Sequence, residues 1–238
     1  RVVGVGGAGG NAISRIAARN PLGLELLALN TDVQALRLMP NIHTLAIGPS
    51  TTKGMGSGGD ATVGRKAIRE SLNQVGQLVK DADLVFIAAG MGGGTGTGAA
   101  PLVADLARKG GALTVGVVTS PFTFEGKGRT DLAADGLRAL SQKVDTIITV
   151  DNNRLLSSLE GEPSLDAAFR MADEVLRQGV EGIAEIVSVP GLINVDFADV
   201  RSLMTGGGPT FMAIGEGKGK SAADDAIESA LSNPLFDT

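Results

Sequence analysis

Three glycine-rich segments and one spaced pair of carboxylates are the parts of this sequence that can do chemistry. The first segment, Arg1-Val-Val-Gly-Val-Gly-Gly-Ala-Gly-Gly-Asn11, puts a glycine loop directly after a short β-branched run and before a helical pattern. Gly4, Gly6 and Gly9 satisfy G-x-G-x-x-G, and Asp32 ends the next apolar run about where a dinucleotide fold places its ribose acid. Alone, this pattern reads as a Rossmann-type NAD-dependent oxidoreductase, or as a tight turn with no ligand.

The second segment argues for a different ligand. Leu84-Val-Phe-Ile-Ala-Ala-Gly90-Met-Gly-Gly-Gly-Thr-Gly-Thr-Gly98 runs from an apolar strand into a helix beginning near Ala99. Several backbone N–H groups and a positive helix end would meet there, which suits a di- or triphosphate. Thr95 and Thr97 add hydroxyl donors. A side chain at Gly94 or Gly96 is expected to fill space needed by the phosphates and to leave the fold intact. The third segment, Gly54-Met-Gly-Ser-Gly-Gly59, is placed to close over a terminal phosphate. One dinucleotide pyrophosphate would not need three such loops, and no catalytic residue for hydride transfer stands out. Gly215-Glu-Gly-Lys-Gly219-Lys220-Ser221 falls one residue short of a P-loop and reads as an exposed turn.

Asn194-Val-Asp196-Phe-Ala-Asp199 places two carboxylates three apart at the start of a helix, on one face. They suit ordinary capping, with Asp196 as the cap and Asp199 favouring the dipole, and they equally suit catalysis. Spacing leaves both open. The sole histidine, His43, borders a strand without a carboxylate–serine context and reads as structural, so neither a hydrolase triad nor a His-based metal site is expected.

Alternating short strands and helical patterns must position these loops. Strands are predicted near Val2 to Val5, Glu25 to Leu29, Thr44 to Ile47, Leu84 to Ala89, Leu113 to Thr119 and Thr146 to Val150. Helices are predicted from Thr62 to Val79 and from Ala99 to Arg108. A long helix follows Ser164 as N-cap and ends before Pro190-Gly191. Its apolar positions Leu165, Phe169, Ala172, Leu176, Val180, Ile183 and Val187 fall close to one face, which Ala168, Val175 and Ala184 widen, and mark it as largely buried. Beyond it come a short helix from about Asp199, a strand near Thr210 to Ile214 and a helix from Ala222 to Leu231. The expected class is α/β: a mostly parallel nucleotide-binding sheet with helices on both faces, a long central helix and an incomplete second α+β subdomain. The corresponding division is 1–160, 161–190 and 191–238.

Composition narrows the function. A net charge of −5 and the absence of Trp and Tyr argue against a nucleic-acid binder. No run approaches the roughly 20 apolar residues of a spanning helix, so a soluble protein without membrane insertion is expected. The absence of Cys removes thiolate chemistry and fits a reducing cytoplasm. The 35 glycines are the informative bias, because many are bunched between strand and helix patterns.

Taken together and in order, these residues resemble the FtsZ family, the bacterial tubulin-like cell-division GTPases. Gly92-Gly-Gly-Thr-Gly-Thr-Gly98 resembles the tubulin-superfamily signature. The segments Gly6 to Asn11, Asn30-Thr-Asp32, Gly54 to Gly58, Pro121-Phe-Thr-Phe-Glu125-Gly-Lys-Gly-Arg129 and Asn194 to Asp199 match in register. The resemblance implies that GTP or GDP is held by Gly6, Gly7, Ala8, Gly10 and Asn11, by Asn30 and Asp32, and by Gly56, Ser57 and Gly58. The signature loop would supply Gly90, Gly92, Gly93, Gly94, Thr95, Gly96, Thr97 and Gly98. Pro121, Glu125 and Arg129 would contact ribose and phosphate. Asn152 and Asp173 would read the guanine edge, with Phe169 stacked on the base.

The same resemblance gives Asp196, Asp199 and Asn194 a catalytic role on the γ-phosphate held by the next subunit, with Mg²⁺ carried on the phosphates. It implies a head-to-tail homopolymer, a division ring at mid-cell, and adaptors recruited through a C-terminal tail. A non-hydrolysing assembly protein of the same family is the remaining alternative. Three departures stand out. Asp151 occupies a position where the family usually has Pro, and is expected to alter the local loop. Thr205-Gly-Gly-Gly-Pro209 is expected to loosen the neighbouring helix. The end soon after Pro234 is expected to omit most of an activation subdomain and the tail.

Overall fold

The computed structural model describes residues 1–20, 22–157, 164–189, 196–210, 213 and 215–231. In chain order its elements are β1 (Val2–Val5), α1 (Gly6–Ala17), β2 (Leu26–Asn30), α2 (Val33–Arg37), β3 (His43–Ala46), α3 (Pro49–Thr52), α4 (Ala61–Glu70), α5 (Leu72–Val79), β4 (Leu84–Gly90) and α6 (Gly94–Lys109). They continue with β5 (Leu113–Ser120), α7 (Lys127–Ser141), β6 (Thr146–Asp151), α8 (Asn152–Ser157), α9 (Leu165–Ser188), α10 (Phe197–Met204), β7 (Gly208–Thr210) and α11 (Ala222–Leu231). A 3-10 turn at Thr123–Glu125 precedes α7.

Among the described residues, seven strands form one sheet in the order β3-β2-β1-β4-β5-β6-β7, and every pairing is parallel. Parallel strands need crossover helices, and those helices bury both faces. Strand alternation divides the core accordingly. Val3, Val5, Val85, Ile87 and Ala89 pack on one face against Ala67 and Ile68 of α4, Val75 of α5, Val103 of α6 and Leu140 of α7. On the other face Val2, Phe86, Val115 and Val117 meet Ile13 and Ile16 of α1, Leu176 and Val180 of α9, and Val200 of α10. The order turns back between β1 and β4, so the crevice at their carboxyl ends is where such a sheet binds ligands.

Several elements depart from the sequence-based expectation, chiefly where segments distant in the chain pack together. The predicted helix Thr62 to Val79 is two helices broken at Ser71, whose buried hydroxyl accepts from Gly48 N at 3.1 Å. α6 begins at Gly94, five residues early, with poor helix formers in its first turns. Close packing requires them. A Cβ on Gly98 would lie 2.2 Å from Ala61 O, and one on Gly96 2.6 Å from Gly90 O.

α9 is capped by Ser164, whose side chain accepts from Ala167 N at 3.2 Å, and buries Ala172, Leu176, Val180 and Ile183. The expected face is not covered throughout: Leu165 and Phe169, in its first turns, are 62% and 44% exposed, because the packing against the sheet begins only further along the helix. The strand expected from Thr210 to Ile214 lies mostly outside the described residues, and β7, which ends at Thr210, extends the same sheet beside β6. The glycines before it form a turn that needs them: Gly206 and Gly208 have φ of +69° and +67°, and Gly208 N donates to Asp145 O.

Candidate functional site

A cavity of about 270 Å³ opens at the carboxyl ends of β1, β4, β5 and β6. Two helices, α1 and α6, start at its floor with glycine entries, so free N–H groups and two positive dipole ends face the same space. The two loops touch. Gly6, at φ +76°, would put a Cβ 2.9 Å from Gly96 N. Gly7 and Gly93 line the cavity and have nothing within 4 Å of a built Cβ, so theirs is the open space.

Gly94 differs from them, because its Cβ would strike Ser57 Oγ at 2.3 Å and Asp60 N at 2.7 Å. The expectation that a side chain at Gly94 or Gly96 spares the fold is therefore corrected. These glycines let α6 pack against the third loop, α4 and β4, and substitution there is a packing fault first.

The third loop is tied over the second by hydroxyls. Thr95 Oγ1 lies 2.7 Å from Thr31 Oγ1 and 3.0 Å from Ser57 Oγ, and Gly56 N donates to Thr31 O at 3.0 Å. Gly56 and Gly58 supply the positive φ values of this turn, +85° and +61°. Thr97 does not face the cavity. Its hydroxyl accepts from Gly92 N at 2.9 Å, holding Gly92 at φ +93°. Gly98 packs on α4, and Gly10 packs on Met39.

Asp32, the ribose acid of the dinucleotide reading, caps α2 by accepting from Gln34 N at 2.8 Å and Ala35 N at 3.3 Å. Buried Asn30 accepts from Asp32 N. Neither lines the cavity, and nor does Asn11, which is exposed on α1. The feature that suggested an oxidoreductase is thus a helix cap.

The far end of the cavity has a different chemistry. Phe169, Ala172 and Asp173 reach it from α9 and Asn152 from the start of α8, while Pro121, Glu125 and Arg129 form its rim. Asp173 is 8% exposed, and burial pushes its pKa up to about 6. Arg15 Nε, at 3.4 Å from Asp173 Oδ2, only partly counters this. Asn152 Oδ1 is buried without a partner, so an acceptor here awaits a donor.

Phe169 packs edge-on against Phe122, 5.4 Å between centroids, and keeps 44% of its surface exposed. Glu125 is fixed at both oxygens: Oε1 accepts from Phe122 N at 3.0 Å, and Oε2 pairs with Arg129 at 2.5 Å. Sequence reasoning missed Thr119, Ala172 and Arg15. Ala172 lies three residues after Phe169 and one before Asp173, so helical spacing could have found it. Arg15 carries no local signal, because its partner is 158 residues away.

The acidic pair lies elsewhere. Asp196 caps α10 by accepting from Asp199 N at 2.8 Å, and both residues are exposed. α10 sits on the opposite edge of the sheet. Its Arg201 donates to Gly111 O just before β5, and Thr146 Oγ1 at the start of β6 donates to Met204 O at 2.7 Å. The cavity reaches Thr119 at the other end of β5, about 20 Å along the strand. Asn194 falls outside the described residues. Among the described residues no group of three or more His, Cys, Asp or Glu could hold a metal, and no helix is long and apolar enough to cross a membrane.

Known proteins share this architecture. Residues 1–160 match the Tubulin/FtsZ family, GTPase domain. The structure superposes on an FtsZ dimer from M. jannaschii with a TM-score of 0.94 and 44% identity, covering 99% of this chain and 68% of that one. CetZ2 from Haloferax volcanii, solved as a GTPγS-bound protofilament, matches with a TM-score of 0.75 and 26% identity over 90% of this chain and 64% of that one. CetZ1 from the same organism, a GDP-bound monomer, gives 0.73 and 26% over 87% and 64%. With its cavity at the switch point of an all-parallel sheet and its match to the GTPase domain, the chain belongs to the tubulin/FtsZ family of GTPases.

Proposed function

We propose that the cavity holds GTP or GDP, and that hydrolysis takes place when a second copy of the chain brings Asp196 and Asp199 onto the γ-phosphate. Phosphates rest on the amino ends of α1 and α6, against Gly7, Ala8, Gly93 and Thr95, with Ser57 closing over them. Asn152 and Asp173 form the base end. Two acceptors there suit the N1–H and N2–H donors of guanine, a pattern adenine lacks, and the exposed part of Phe169 offers a stacking face. Glu125 and Arg129 stand between, at the ribose. The phosphate end offers hydroxyls and backbone N–H groups but no carboxylate cage, so Mg²⁺ would arrive on the phosphate oxygens and keep waters as its other ligands.

One observation carries the shared site: the cavity and the acidic pair lie at opposite edges of one sheet, too far apart to meet within a molecule. Head-to-tail stacking would bring the amino edge of one copy over the cavity of the next. The dimer of M. jannaschii FtsZ and the CetZ2 protofilament support such stacking. A filament of this kind fits a cytoplasmic division ring at mid-cell that uses a tail for its adaptors.

Mixing two inactive variants of the full-length protein tests this reading. Asp199→Ala should bind GTP and not hydrolyse it, whereas Gly93→Val should fold and not bind GTP. Combined, they should regain activity, because the intact acidic edge of one meets the GTP of the other. A mixture as inactive as its components would refute the shared site.

A further inference from the structure

Deepening the nucleotide reading above and resting on it, we propose that Asn153, oriented by Asp151, is a positioning residue that fixes the ribose-facing turn Thr123–Glu125 to the base-reading end of the cavity.

The junction of β6 and α8 carries three polar residues in succession, Asp151, Asn152 and Asn153. Neighbours at a helix start point about 100° apart, and here they do different work. Asn152 lines the cavity, while Asn153 faces the turn. Asp151 Oδ1 accepts from Asn153 N at 2.9 Å and from Asn153 Nδ2 at 3.0 Å, which commits the donor half of the amide. The acceptor half then faces outward, and Asn153 Oδ1 accepts from Thr123 N at 2.8 Å. Both contacts demand the same orientation. A flipped amide would set donor against donor at Thr123 and acceptor against acceptor at Asp151.

Thr123 N–H is the first N–H of a 3-10 turn, so the turn itself gives it no partner. The rest of the turn is internally rigid. Glu125 N donates to Phe122 O at 3.0 Å, Phe122 N donates back to Glu125 Oε1 at 3.0 Å, and Glu125 Oε2 holds Arg129. Where Thr123 sits therefore decides where the Glu125 carboxylate and the Arg129 guanidinium sit. Thr123 is exposed, and a solvent-facing bond adds little to stability. Its consequence is geometric: the ribose arm and the base-reading Asn152 are tied to one helix start. Asp151 supplies the carboxylate that makes the tie directional.

Affinities for GTP, for 2′,3′-dideoxy-GTP and for ITP separate this role from general loosening. In the parent, a hydrogen bond from the ribose to the Glu125 carboxylate should make GTP bind at least about tenfold better than the dideoxy analogue. Asn153→Ala should shrink that ratio to roughly twofold while leaving the GTP-to-ITP ratio, set by Asn152 and Asp173, unchanged. Thr123→Pro removes the same N–H from the other side. Phe122 at φ −65° and ψ 148° already has the backbone that precedes a proline, so this variant should reproduce the loss. The two together should be no worse than either alone. Asp151→Asn can still accept both bonds and should keep the parent ratio.

An unchanged dideoxy ratio in Asn153→Ala and Thr123→Pro would overturn the inference, and so would an equal loss of ITP discrimination. A parent that binds GTP and its dideoxy analogue equally would refute the ribose role of Glu125 together with this inference. A parent that binds no GTP would instead refute the nucleotide reading.

Discussion

Acidification should weaken nucleotide binding through Asp173, by an amount set by its surroundings. The carboxyl is buried, and burial raises its pKa to about 6, with Arg15 offsetting only part of that shift. A base that donates hydrogen bonds to this group binds its ionised form. At pH 7.5 nearly every free molecule is ionised, whereas at pH 5 only about one in eleven is. Affinity for GDP should therefore fall about tenfold between pH 7.5 and 5, with most of the loss below pH 6.5.

Stability of the nucleotide-free protein should move the other way. The folded pKa lies above the ordinary value of 3.8, so between those values the folded state holds more protons than the unfolded one. That contribution to stability is fully present below about pH 4 and is lost as pH rises through about 6. Calorimetric titration with GDP across this range is the assay, with Asp173→Asn as control, because the nucleotide phosphates titrate identically in both. The control should bind more weakly at pH 7.5 by roughly 1.5 to 3 kcal/mol and should lack the extra acid-side loss. Parallel pH profiles for the parent and Asp173→Asn would show that this carboxylate does not meet the base.

The glycines of the second loop should separate into two kinds. Gly93→Val, pointing into open space, should abolish GTP binding with little change in melting temperature, whereas Gly94→Val should destabilise the fold by roughly 1 to 3 kcal/mol in thermal unfolding, because it strikes Ser57 and Asp60. Asp196→Ala should lower stability by about 1 kcal/mol through its lost cap, and Asp199→Ala by less, roughly 0.3 kcal/mol, through its lost first-turn charge. Both should nonetheless bind GTP at the parent level while releasing phosphate far more slowly, as a coupled phosphate assay would show. Arg15→Ala should move the acid-side loss of GDP affinity to higher pH, since the cation that helps keep Asp173 ionised is gone.

Much of this was legible in the sequence because it is local. Short β-branched runs ended by glycine mark β1 and β4, one ended by Ser120-Pro121 marks β5, and Ser164 marks the start of α9. The loops that line the cavity announce themselves by composition. Contacts between segments far apart in the chain were not legible. Nothing near Gly94 reveals that Ser57 and Asp60 press against it, so local pattern places the start of α6 too late and assigns its glycines to phosphate clearance alone. Ser71 looks like an ordinary mid-helix residue until Gly48 arrives beside it.

Asp196 and Asp32 show the same limit from the other side. Each has spacing that fits both a cap and a ligand-facing acid, and the choice depends on where the rest of the sheet puts it. Asp32 forms a cap and does not line the cavity, which sets aside the ribose role of a dinucleotide fold. For Asp196 the cap is formed as well, while its place on the amino edge leaves the carboxylate exposed to a neighbouring copy.

The most direct test of the central claim is phosphate release per molecule as a function of protein concentration, measured with saturating GTP on the full-length protein. A site completed by a second copy predicts almost no turnover on dilution, then a rise to a constant specific rate as the interface forms by mass action. Turnover per molecule that stays constant down to the lowest concentrations would mean that one chain hydrolyses GTP alone, and would contradict the shared site.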